Sequence, residues 1–348
     1  MMADGAASAW RHVCDDGLLA DVRQTLSGLP AATSVGLALS AGADSAMLAL
    51  HLAVQAAPSG HPIHFFHVHH GLQAAADGWL AQAHGLARLL GVPCHSRWVR
   101  VAIQGTGMEA AARAARYAAL AGLAAQAGVT HVLLAHHQDD QAETVLLRAL
   151  RGTGPLGLAA MAPAMRRDGL VYHRPWLAQP RARILQAAAR FAAASGWQPV
   201  QDPSNADPRY KRAAVRTQLR PVLDAHWPAW RQTLSRHARQ AQALASWVQD
   251  MAAAQWQTLD PAGNGASFSL AAWRALPATH QVQMLRFWLQ RQGLRMPTEA
   301  RLSAWLKQLR EVHALGHDRQ VCLRHEQHLI VVRKGRVALL PETSAKAS

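Results

Sequence analysis

The sequence predicts an α/β fold, a doubly wound parallel sheet, followed by a smaller and mostly helical domain. Between residues 34 and 151, apolar runs typical of strands alternate with longer helical patterns. A loop of small or polar residues follows two of these strands, as expected where a parallel strand leads into a helix. Beyond residue 151 the alternation stops and helical patterns dominate. The 348 residues are enough for two domains, each with its own core.

The alternation defines four strand–helix units in chain order. The predicted strands are residues 34–39, 61–70, 93–101 and 130–137. The helices that follow them are residues 46–57, 77–91, 108–128 and 139–151. Gly91 and Gly128 stand where two of these helices should end, since glycine readily adopts the left-handed conformation of a helix terminus. In such sheets ligands bind beyond the carboxyl ends of the strands, so the loops after residues 39 and 135 should face one crevice.

The remainder of the chain is organised differently. Residues 164–176 predict either a hairpin around Asp168 and Gly169 or a loop docked on the sheet. Further elements follow in order: a helix at 181–196, a polar loop at 201–212, a helical stretch at 213–226 bent near Pro221, helices near 228–256, 270–276, 278–293 and 299–311, and closing strands in DRQVCLRH and HLIVVRKGRVALL. We place the domain boundary so that the domains are residues 1–226 and 227–348.

Composition excludes several classes of protein. Apolar residues make up 50% of the chain, yet no apolar run reaches the roughly 18 to 20 residues that a membrane span requires. The first residues, MMADGAASAWRHVCDDG, contain aspartates and no apolar core, unlike a secretory signal. Cys14, Cys94 and Cys322 are too far apart in sequence for a CxxC pair, which argues against a disulfide frame, a zinc knuckle or an iron–sulfur cluster. We therefore expect a cytoplasmic protein.

The charge balance suggests a nucleic-acid partner. Lysine and arginine number 36 against 21 acidic residues, a net charge of +15, and nearly all the cations are arginine. Arginine binds phosphate through a planar fork and stacks on bases. A GC-rich genome that favours Arg and Ala codons is the alternative explanation. Codon bias alone does not explain the shortage of acidic residues.

The segment SAGADS, residues 40–45, connects the first strand to its helix. Small residues allow backbone N–H groups to approach a phosphate, and the helix N-terminus adds positive charge. Ser40 and Ser45 can donate hydroxyl hydrogens, whereas Asp44 repels phosphate unless a metal or a cationic substrate lies between them. The segment matches neither G-x-x-x-x-G-K-[ST] nor G-x-G-x-x-G. An ordinary strand-to-helix turn is the alternative.

The segment HHQDDQAET, residues 136–144, follows the fourth strand. Asp140 and Glu143 share a helix face. Carboxylates suit Mg²⁺, while acids in a first helical turn also suit the helix dipole without any ligand. A transition-metal site built on His136, His137 and Asp140 lacks a third histidine at useful spacing. In HVHHGL, strand alternation sends His67 and His69 to one face and His70 to the other, which is poor geometry for chelation.

Two arginines lie in EAAARAARY, residues 109–117. Arg113 and Arg116 share a helix face, and Glu109 stands four residues before Arg113. A solvated Glu109–Arg113 pair accounts for Arg113 without function. Arg116 is therefore the better candidate to contact phosphate.

Several segments together resemble one family. In chain order they are ALSAGADSAMLAL, HVHHGL, MEAAARAARY, LLAHHQDDQAETVLLRALRGTGPLGLAAM, RPWL and DPSNADPRYKRAAVR. They resemble tRNA(Ile)-lysidine synthetases, members of the pyrophosphate-loop ATP pyrophosphatases, whose loop signature S-G-G-x-D-S is similar to SAGADS. The resemblance is close over residues 30–225 and looser in FSLAAWRALPATHQVQMLRFWL. One short motif would be weak, but six in order are specific.

The resemblance implies a Rossmann-like pyrophosphate-loop domain that binds ATP, and a helical domain that binds tRNA. It also implies a two-step reaction on the wobble cytidine of an isoleucine tRNA with a CAU anticodon. ATP first adenylates the C2 oxygen, and free L-lysine then displaces AMP to give lysidine, so the tRNA decodes AUA. The cofactors implied are ATP and Mg²⁺. Whether the protein is a monomer or a homodimer stays open.

The site residues carried over from the resemblance fall into three groups. The residues that would hold ATP are Ser40, Ala41, Gly42, Ala43, Asp44 and Ser45. Asp44 and Asp140 would be catalytic and would position Mg²⁺ or the lysine amine, and Arg116 would contact phosphate or the adenylate. The residues that would contact lysine, nucleotide or tRNA are Arg113, His137, Glu143, Arg212 and Arg216.

Four positions depart from the family pattern. Ala41 stands in place of glycine, His69 and Ala213 in place of asparagine, and Gln73 in place of arginine. If residue 41 needs a positive φ, alanine costs about 1 kcal/mol there. We also expect the extra carboxyl-terminal domain of longer members to be absent. Two other functions remain open: a related tRNA thiolase, which would need paired cysteines or a cluster, and a degenerate tRNA-binding protein without turnover.

Overall fold

The computed structural model describes residues 7–71, 75–101, 108–202, 207–312 and 321–342. The chain divides into two compact units, Met1–Gln242 and Ala243–Ser348. The domain boundary near residue 226 that the sequence suggests stays a prediction. Among the described residues, no helix is both long and apolar enough to cross a bilayer.

The first unit is built on a six-stranded sheet, which confirms the predicted parallel α/β architecture. Its strands are Val35–Ala38 (β1), Ile63–His69 (β2), Cys94–Trp98 (β3), His131–Leu133 (β4), Ala164–Arg167 (β5) and Leu170–His173 (β6). The spatial order is β3-β2-β1-β4-β6-β5, and every pairing is parallel except that of β5 with β6. The chain runs outward from β1 to β3 and then returns to β4 on the other side of β1. The topological switch point, where such sheets bind ligands, is therefore the gap between β1 and β4.

Helices surround this sheet. In chain order they are Asp16–Ser27 (α1), Ala43–Ser59 (α2), Ala76–Leu90 (α3), Met108–Gln126 (α4), Gln138–Ala149 (α5), Arg181–Ser195 (α6), Lys211–Ala214 (α7), Arg220–His226 (α8) and Trp230–Trp256 (α9), the last of which continues beyond the first unit. One buried cluster joins β1 to α1, α2 and α6 through Leu37, Leu18, Leu48 and Ile184. Another packs Tyr117 and Tyr172 with Phe66 on the opposite face. The two clusters cover both faces of the sheet, as in a doubly wound fold.

Most predicted elements occur within a few residues of their expected bounds. The fourth strand is shorter than predicted, three residues against 130–137, because the chain after Leu134 leaves the ladder to begin α5. Residues 164–173 form the hairpin, with Asp168 and Gly169 both at positive φ, and β6 also joins the sheet beside β4. Part of the predicted polar loop, residues 203–206, lies outside the described residues, and so does Gln73.

The second unit combines helices with a small antiparallel sheet. Its strands, in spatial order β7-β10-β9-β8, are Ser267–Ser269 (β7), Arg336–Pro341 (β10), His328–Arg333 (β9) and Cys322–His325 (β8). The helices are Leu270–Arg274 (α10), Ala278–Arg291 (α11) and Glu299–Glu311 (α12). Phe268, Trp273 and Trp288 are fully buried among them. The predicted closing strands are confirmed as β8, β9 and β10, except that residues 318–320 lie outside the described residues.

Gly36 makes a sharp test of packing in the central strand. A Cβ at Gly36 would lie 2.3 Å from Cε2 of Phe66, whose ring covers the glycine. We expect Gly36→Ala to lower the free energy of unfolding by about 1–3 kcal/mol, because the buried ring must move. Gly78→Ala is the control, since a Cβ there meets nothing within 4 Å and lies in a helix. Urea unfolding measures the stability of both variants. Equal free energies of unfolding for Gly36→Ala and Gly78→Ala would contradict the close packing of Phe66 on Gly36.

Candidate active site

The loop Ser40–Ser45 presents an uncapped helix N-terminus at the switch point. Helix α2 begins after Gly42, whose position provides no side-chain cap. The first N–H groups of a helix lack partners within the helix, and they carry partial positive charge. A 17-residue helix that starts this way at the carboxyl end of a central strand is suited to bind an anion.

Hydrogen bonds within the loop fix its shape. The N–H of Ser40 donates to Oγ of Ser45 at 3.1 Å, and the two hydroxyl oxygens lie 2.9 Å apart. Oγ of Ser45 also donates to the carbonyl of Gly42 at 3.2 Å. From outside the loop, the N–H of Val200 donates to the carbonyl of Ala41 at 2.9 Å. Hydrogen bonds from the protein itself therefore set the conformation of the loop.

Ala41 adopts the left-handed conformation, in which alanine is less favourable than glycine. Its φ is 63°, and its side chain is fully buried. An L-residue with a side chain pays a steric cost there of about 1–2 kcal/mol, which glycine avoids. The substitution in this chain is therefore strained but compatible with the loop.

His137 brings the two predicted carboxylates together. It is the N-cap of α5, and it forms a reciprocal capping box with Asp140: the N–H of Asp140 donates to Nδ1 at 3.4 Å, and the N–H of His137 donates to Oδ2 of Asp140 at 3.2 Å. Its Nε2 lies 3.3 Å from Oδ2 of Asp140 and 3.7 Å from Oδ1 of Asp44. Two loops that are far apart in sequence thus meet at Nε2 of His137, as expected from their positions at the carboxyl ends of parallel strands.

The electrostatics keep both carboxyl groups ionised. Burial raises the pKa of Asp44, but hydrogen bonds and charges from His137 and Arg181 outweigh it and lower the pKa to about 2. Burial likewise raises the pKa of Asp140, and His137 and nearby arginines more than reverse that effect, so its pKa is lowered. Burial lowers the pKa of His137, yet Asp44 and Asp140 outweigh it and raise the pKa above its usual value.

Arginines from later in the chain complete the cluster. Arg216 donates from Nε to Oε1 of Glu143 at 2.7 Å and from Nη2 to Oδ1 of Asp140 at 3.0 Å. Nε of Arg212 lies 3.0 Å from Oε2 of Glu143, which makes the two side chains an ion pair. The N–H at this nitrogen nevertheless has no hydrogen-bond partner. Nη2 of Arg212 instead donates to Oγ1 of Thr144 at 3.0 Å. The predicted residues Glu143, Arg212 and Arg216 therefore belong to one network with Asp140.

A π-helical segment presents these arginines. Residues Val215–Leu219 are π-helical, between the short helix α7 and Pro221. Proline removes a backbone donor and clashes with the preceding turn of an α-helix, and a wider turn relieves both effects. The predicted bend near Pro221 takes this form, and Arg216 lies within the widened turn.

Arg113 and Arg116, from α4, have different environments. Nη2 of Arg113 donates to the hydroxyl of Tyr117 at 3.3 Å, and its guanidinium lies over the Tyr117 ring. With the described residues, Arg116 forms neither a hydrogen bond nor an ion pair, although its charge contributes to lowering the pKa of His136. Burial is the larger cause and brings the pKa of His136 to about 3. Arg116 is thus a cation near the cluster without an acidic partner among the described residues.

The donor set fits a magnesium ion. Asp44 and Asp140 offer hard carboxylate oxygens, and both carboxylates lie within 4 Å of Nε2 of His137. Mg²⁺ commonly binds one or two carboxylates together with substrate phosphates. Within the described part of the chain, no group of three or more His, Cys, Asp or Glu residues could hold a metal by itself. The remaining ligands of Mg²⁺ would then be phosphate oxygens and water.

Sequence reasoning missed two arginines of the cluster. Arg181, the first residue of α6, grips Asp44 with Nε–Oδ1 and Nη2–Oδ2 distances of 3.1 Å each. Arg231 donates from Nε to Oδ2 of Asp139 at 2.8 Å. A cation in a first helical turn opposes the helix dipole, so the sequence could have suggested that Arg181 has an acidic partner, but not that the partner is Asp44. No comparable signal marks Arg231.

Comparisons with known proteins identify the family of this chain. Residues 19–223 match the PP-loop domain family, and residues 268–338 match the TilS substrate binding domain. The chain is 57% identical to the tRNA(Ile)-lysidine synthase of Bordetella bronchiseptica, over 95% of this chain and 96% of that one. The chain belongs to the tRNA(Ile)-lysidine synthase family. A relative of the same name from Bordetella pertussis is 58% identical over 88% of this chain and 96% of its own length.

The comparison with solved structures supports the fold alone. The U34-tRNA thiolase NcsA from Methanococcus maripaludis, described with its [4Fe–4S] cluster, aligns with a TM-score of 0.53 at 15% identity. That alignment covers 65% of this chain and 78% of the thiolase. Membership in the tRNA(Ile)-lysidine synthase family rests on the sequence relatives and the two matching domains.

The strain at Ala41 has a measurable consequence. We expect Ala41→Gly to raise the free energy of unfolding by about 0.5 kcal/mol or more, because relief of the left-handed strain exceeds the entropy that glycine adds to the unfolded chain. Ala49→Gly, at another fully buried alanine but inside α2, is the control and should lower it by roughly 0.5–1 kcal/mol. Urea unfolding measures both, and an equal loss in the two variants would contradict the account.

Proposed function

We propose that this protein ligates free L-lysine to C2 of the wobble cytidine in a CAU-anticodon isoleucine tRNA, with conversion of ATP to AMP and pyrophosphate. The observation that carries the proposal is the convergence of Asp44 and Asp140 beside the uncapped N-terminus of α2, in a chain that belongs to the tRNA(Ile)-lysidine synthase family. We expect the reaction to take place in the cytoplasm, where tRNA, ATP and lysine are available.

The loop and its helix would hold the phosphates of ATP. Backbone N–H groups of Gly42 to Ser45 and the positive end of α2 offer donors without the need for a basic side chain in the loop. Asp44 and Asp140 would hold Mg²⁺, which when bound supplies positive charge against the polyphosphate. Arg116, which lacks an acidic partner among the described residues, would contact the phosphate or the adenylate. Its positive charge would stabilise the charge that develops during transfer.

The chemistry requires adenylation before lysine can react. The C2 oxygen of cytosine is a poor leaving group, and its attack on the α-phosphorus of ATP, with loss of pyrophosphate, makes it part of AMP. The amine of lysine then attacks C2 and the C2–O bond breaks, so AMP leaves with that oxygen. Lysine's amines have pKa values near 8 to 10.4 and are mostly protonated at neutral pH. The site must therefore remove a proton, and the ionised carboxylates of Asp44 and Asp140 would bind the cationic amine beforehand.

The tRNA would be held by both units. The net charge of +15 favours binding of a phosphate backbone, and residues 268–338 match a substrate-binding domain. Near the cluster, Arg212, Arg216 and Arg113 are candidate contacts to nucleotide or tRNA. His137 and Glu143 would orient these partners through the hydrogen bonds described above.

The cysteines give the thiolase alternative no support. Cys14, Cys94 and Cys322 are free, and burial raises the pKa of Cys14 and of Cys94 to about 12. Thiolates at neutral pH are therefore disfavoured at two of the three positions. The degenerate-binder alternative depends on Ala41 and Ala213. Ala41 adopts the left-handed conformation within a hydrogen-bonded loop, so that substitution alone gives no reason to expect loss of turnover.

The direct test combines the purified protein with ATP, Mg²⁺, isotope-labelled lysine and a CAU-anticodon isoleucine tRNA transcript. Nucleoside mass analysis should find one lysine on the wobble cytidine, with release of AMP and pyrophosphate. tRNA binding without incorporation would instead support a binder without turnover. Sulfur transfer to the tRNA would support the thiolase.

Substitution of the two carboxylates should separate chemistry from folding. We expect Asp44→Asn and Asp140→Asn each to reduce lysidine formation by roughly 10²-fold or more, because each removes a charge that positions metal or reacting groups. Asp168→Asn, in the exposed turn of the β5–β6 hairpin, is the control and should keep wild-type activity. Single-turnover rates measure the effect, and wild-type rates in both active-site variants would disprove the assignment.

A further inference from the structure

Arg181 binds the carboxylate oxygens of Asp44, which are the same oxygens that a metal ion at this site would bind. Its Nε and Nη2 donate to the two oxygens at 3.1 Å each, so both oxygens of Asp44 are engaged by one guanidinium. This fork geometry is the strongest common pairing of arginine with a carboxylate. A divalent cation that binds Asp44 must compete with this positive charge.

Arginines already pair with each of the four acids at the switch point. Four acids, Asp44, Asp139, Asp140 and Glu143, are paired with four arginines, Arg181, Arg212, Arg216 and Arg231. Buried carboxylates are costly unless they are paired, so these arginines stabilise the free protein. A bound Mg²⁺ would add positive charge beside Asp44, and the ATP phosphates would add negative charge beyond it. Bound Mg²⁺ and ATP would therefore change which partner each arginine prefers.

Arg181 is the member of the cluster that can move most readily. The exposed fractions of the side chains are 34% for Arg181, 28% for Arg212, 25% for Arg216 and 16% for Arg231. Arg216 and Arg231 each bridge two acids, and Arg212 also bonds Thr144. Among the described residues, the guanidinium of Arg181 hydrogen-bonds only to Asp44. Its backbone N–H, which donates to Oδ1 of Asp139 at 3.3 Å, anchors it at the start of α6.

We propose that Arg181 is an exchangeable counter-ion of Asp44: it holds the carboxylate in the free protein and transfers to the polyphosphate when Mg²⁺ and ATP bind. The guanidinium fork fits phosphate as well as carboxylate, so Arg181 loses no hydrogen-bonding capacity in the exchange. This makes Arg181 a positioning residue for Asp44 and a contact for ATP. The inference rests on the proposed role of Asp44 in ATP and metal binding.

The chain provides a matched control on the same helix turn. Arg183, two residues later in α6, also grips a carboxylate with two nitrogens, at 2.7 and 3.3 Å from the oxygens of Asp15. Neither Arg183 nor Asp15 contacts the cluster. A comparison of Arg181→Gln with Arg183→Gln therefore separates exchange at Asp44 from the loss of any ion pair on α6.

The first measurement is the affinity of the nucleotide-free protein for Mn²⁺ alone, which electron paramagnetic resonance detects. We expect Arg181→Gln to bind Mn²⁺ roughly tenfold more tightly than wild type, because the guanidinium that engages both oxygens of Asp44 is gone and only His137 remains beside that carboxylate. Arg183→Gln should bind it as wild type does, and Asp44→Asn added to Arg181→Gln should abolish the gain. Unchanged or weaker Mn²⁺ binding by Arg181→Gln would overturn the proposal.

The second measurement is steady-state kinetics with ATP and lysine varied separately. Arg181→Gln should raise KM for ATP by roughly tenfold or more and leave KM for lysine unchanged, since the lost contact is to phosphate. If Arg181→Gln does not fold, Arg181→Lys takes its place in the test. Lysine keeps the positive charge but lacks the two-pronged guanidinium. An unchanged KM for ATP in this variant would contradict the exchange. Failure of wild type to form lysidine would instead count against the proposed function, because the Mn²⁺ measurement requires no tRNA.

Discussion

The pairing of buried carboxylates with arginines at the β1–β4 switch point is the constraint on which the site depends. Asp139, Asp140 and Glu143 are buried in the first turns of α5, where unpaired charges would be strongly destabilising. Their arginine partners come from α7, the π-helical turn and α9, while Arg181 of α6 pairs with Asp44, and all of these segments follow β4 in sequence. The ion pairs therefore fasten the later helices to the carboxyl edge of the sheet. The same charges keep Asp44 and Asp140 ionised and ready to bind a cation.

The loop before α2 imposes a second requirement, which is geometric. Its backbone must turn through a left-handed residue so that the helix N-terminus points into the crevice, and this chain meets that requirement with Ala41 at φ 63°. The contact from Val200 and the paired hydroxyls of Ser40 and Ser45 hold the turn in place. Strain of this kind persists where the surroundings determine the conformation, and it is common in binding loops.

The sequence predicts the architecture and the acidic residues of the site, but not all of the arginines that pair with them. Periodicity and helix-ending glycines predict the sheet and its helices, and the positions of Asp44 and Asp140 after two predicted parallel strands place both at one edge of the sheet. Strand β7 was missed because its three residues contain only Phe268 as an apolar side chain, too little for a period. The pairing of Arg181 with Asp44 joins residues 137 positions apart, and no local pattern encodes such a contact. Local propensity locates elements, whereas ion pairs between them depend on packing.

We propose that this cluster and the loop beside it form the ATP site of a lysidine-forming enzyme. The sharpest test is a crystal structure with Mg²⁺ and a non-hydrolysable ATP analogue. We expect the phosphates to lie on the N–H groups of residues 42–45, with an oxygen of Asp44 or Asp140 bound to the metal. A nucleotide bound elsewhere, with the ion pairs of Asp44 and Asp140 unchanged, would contradict it.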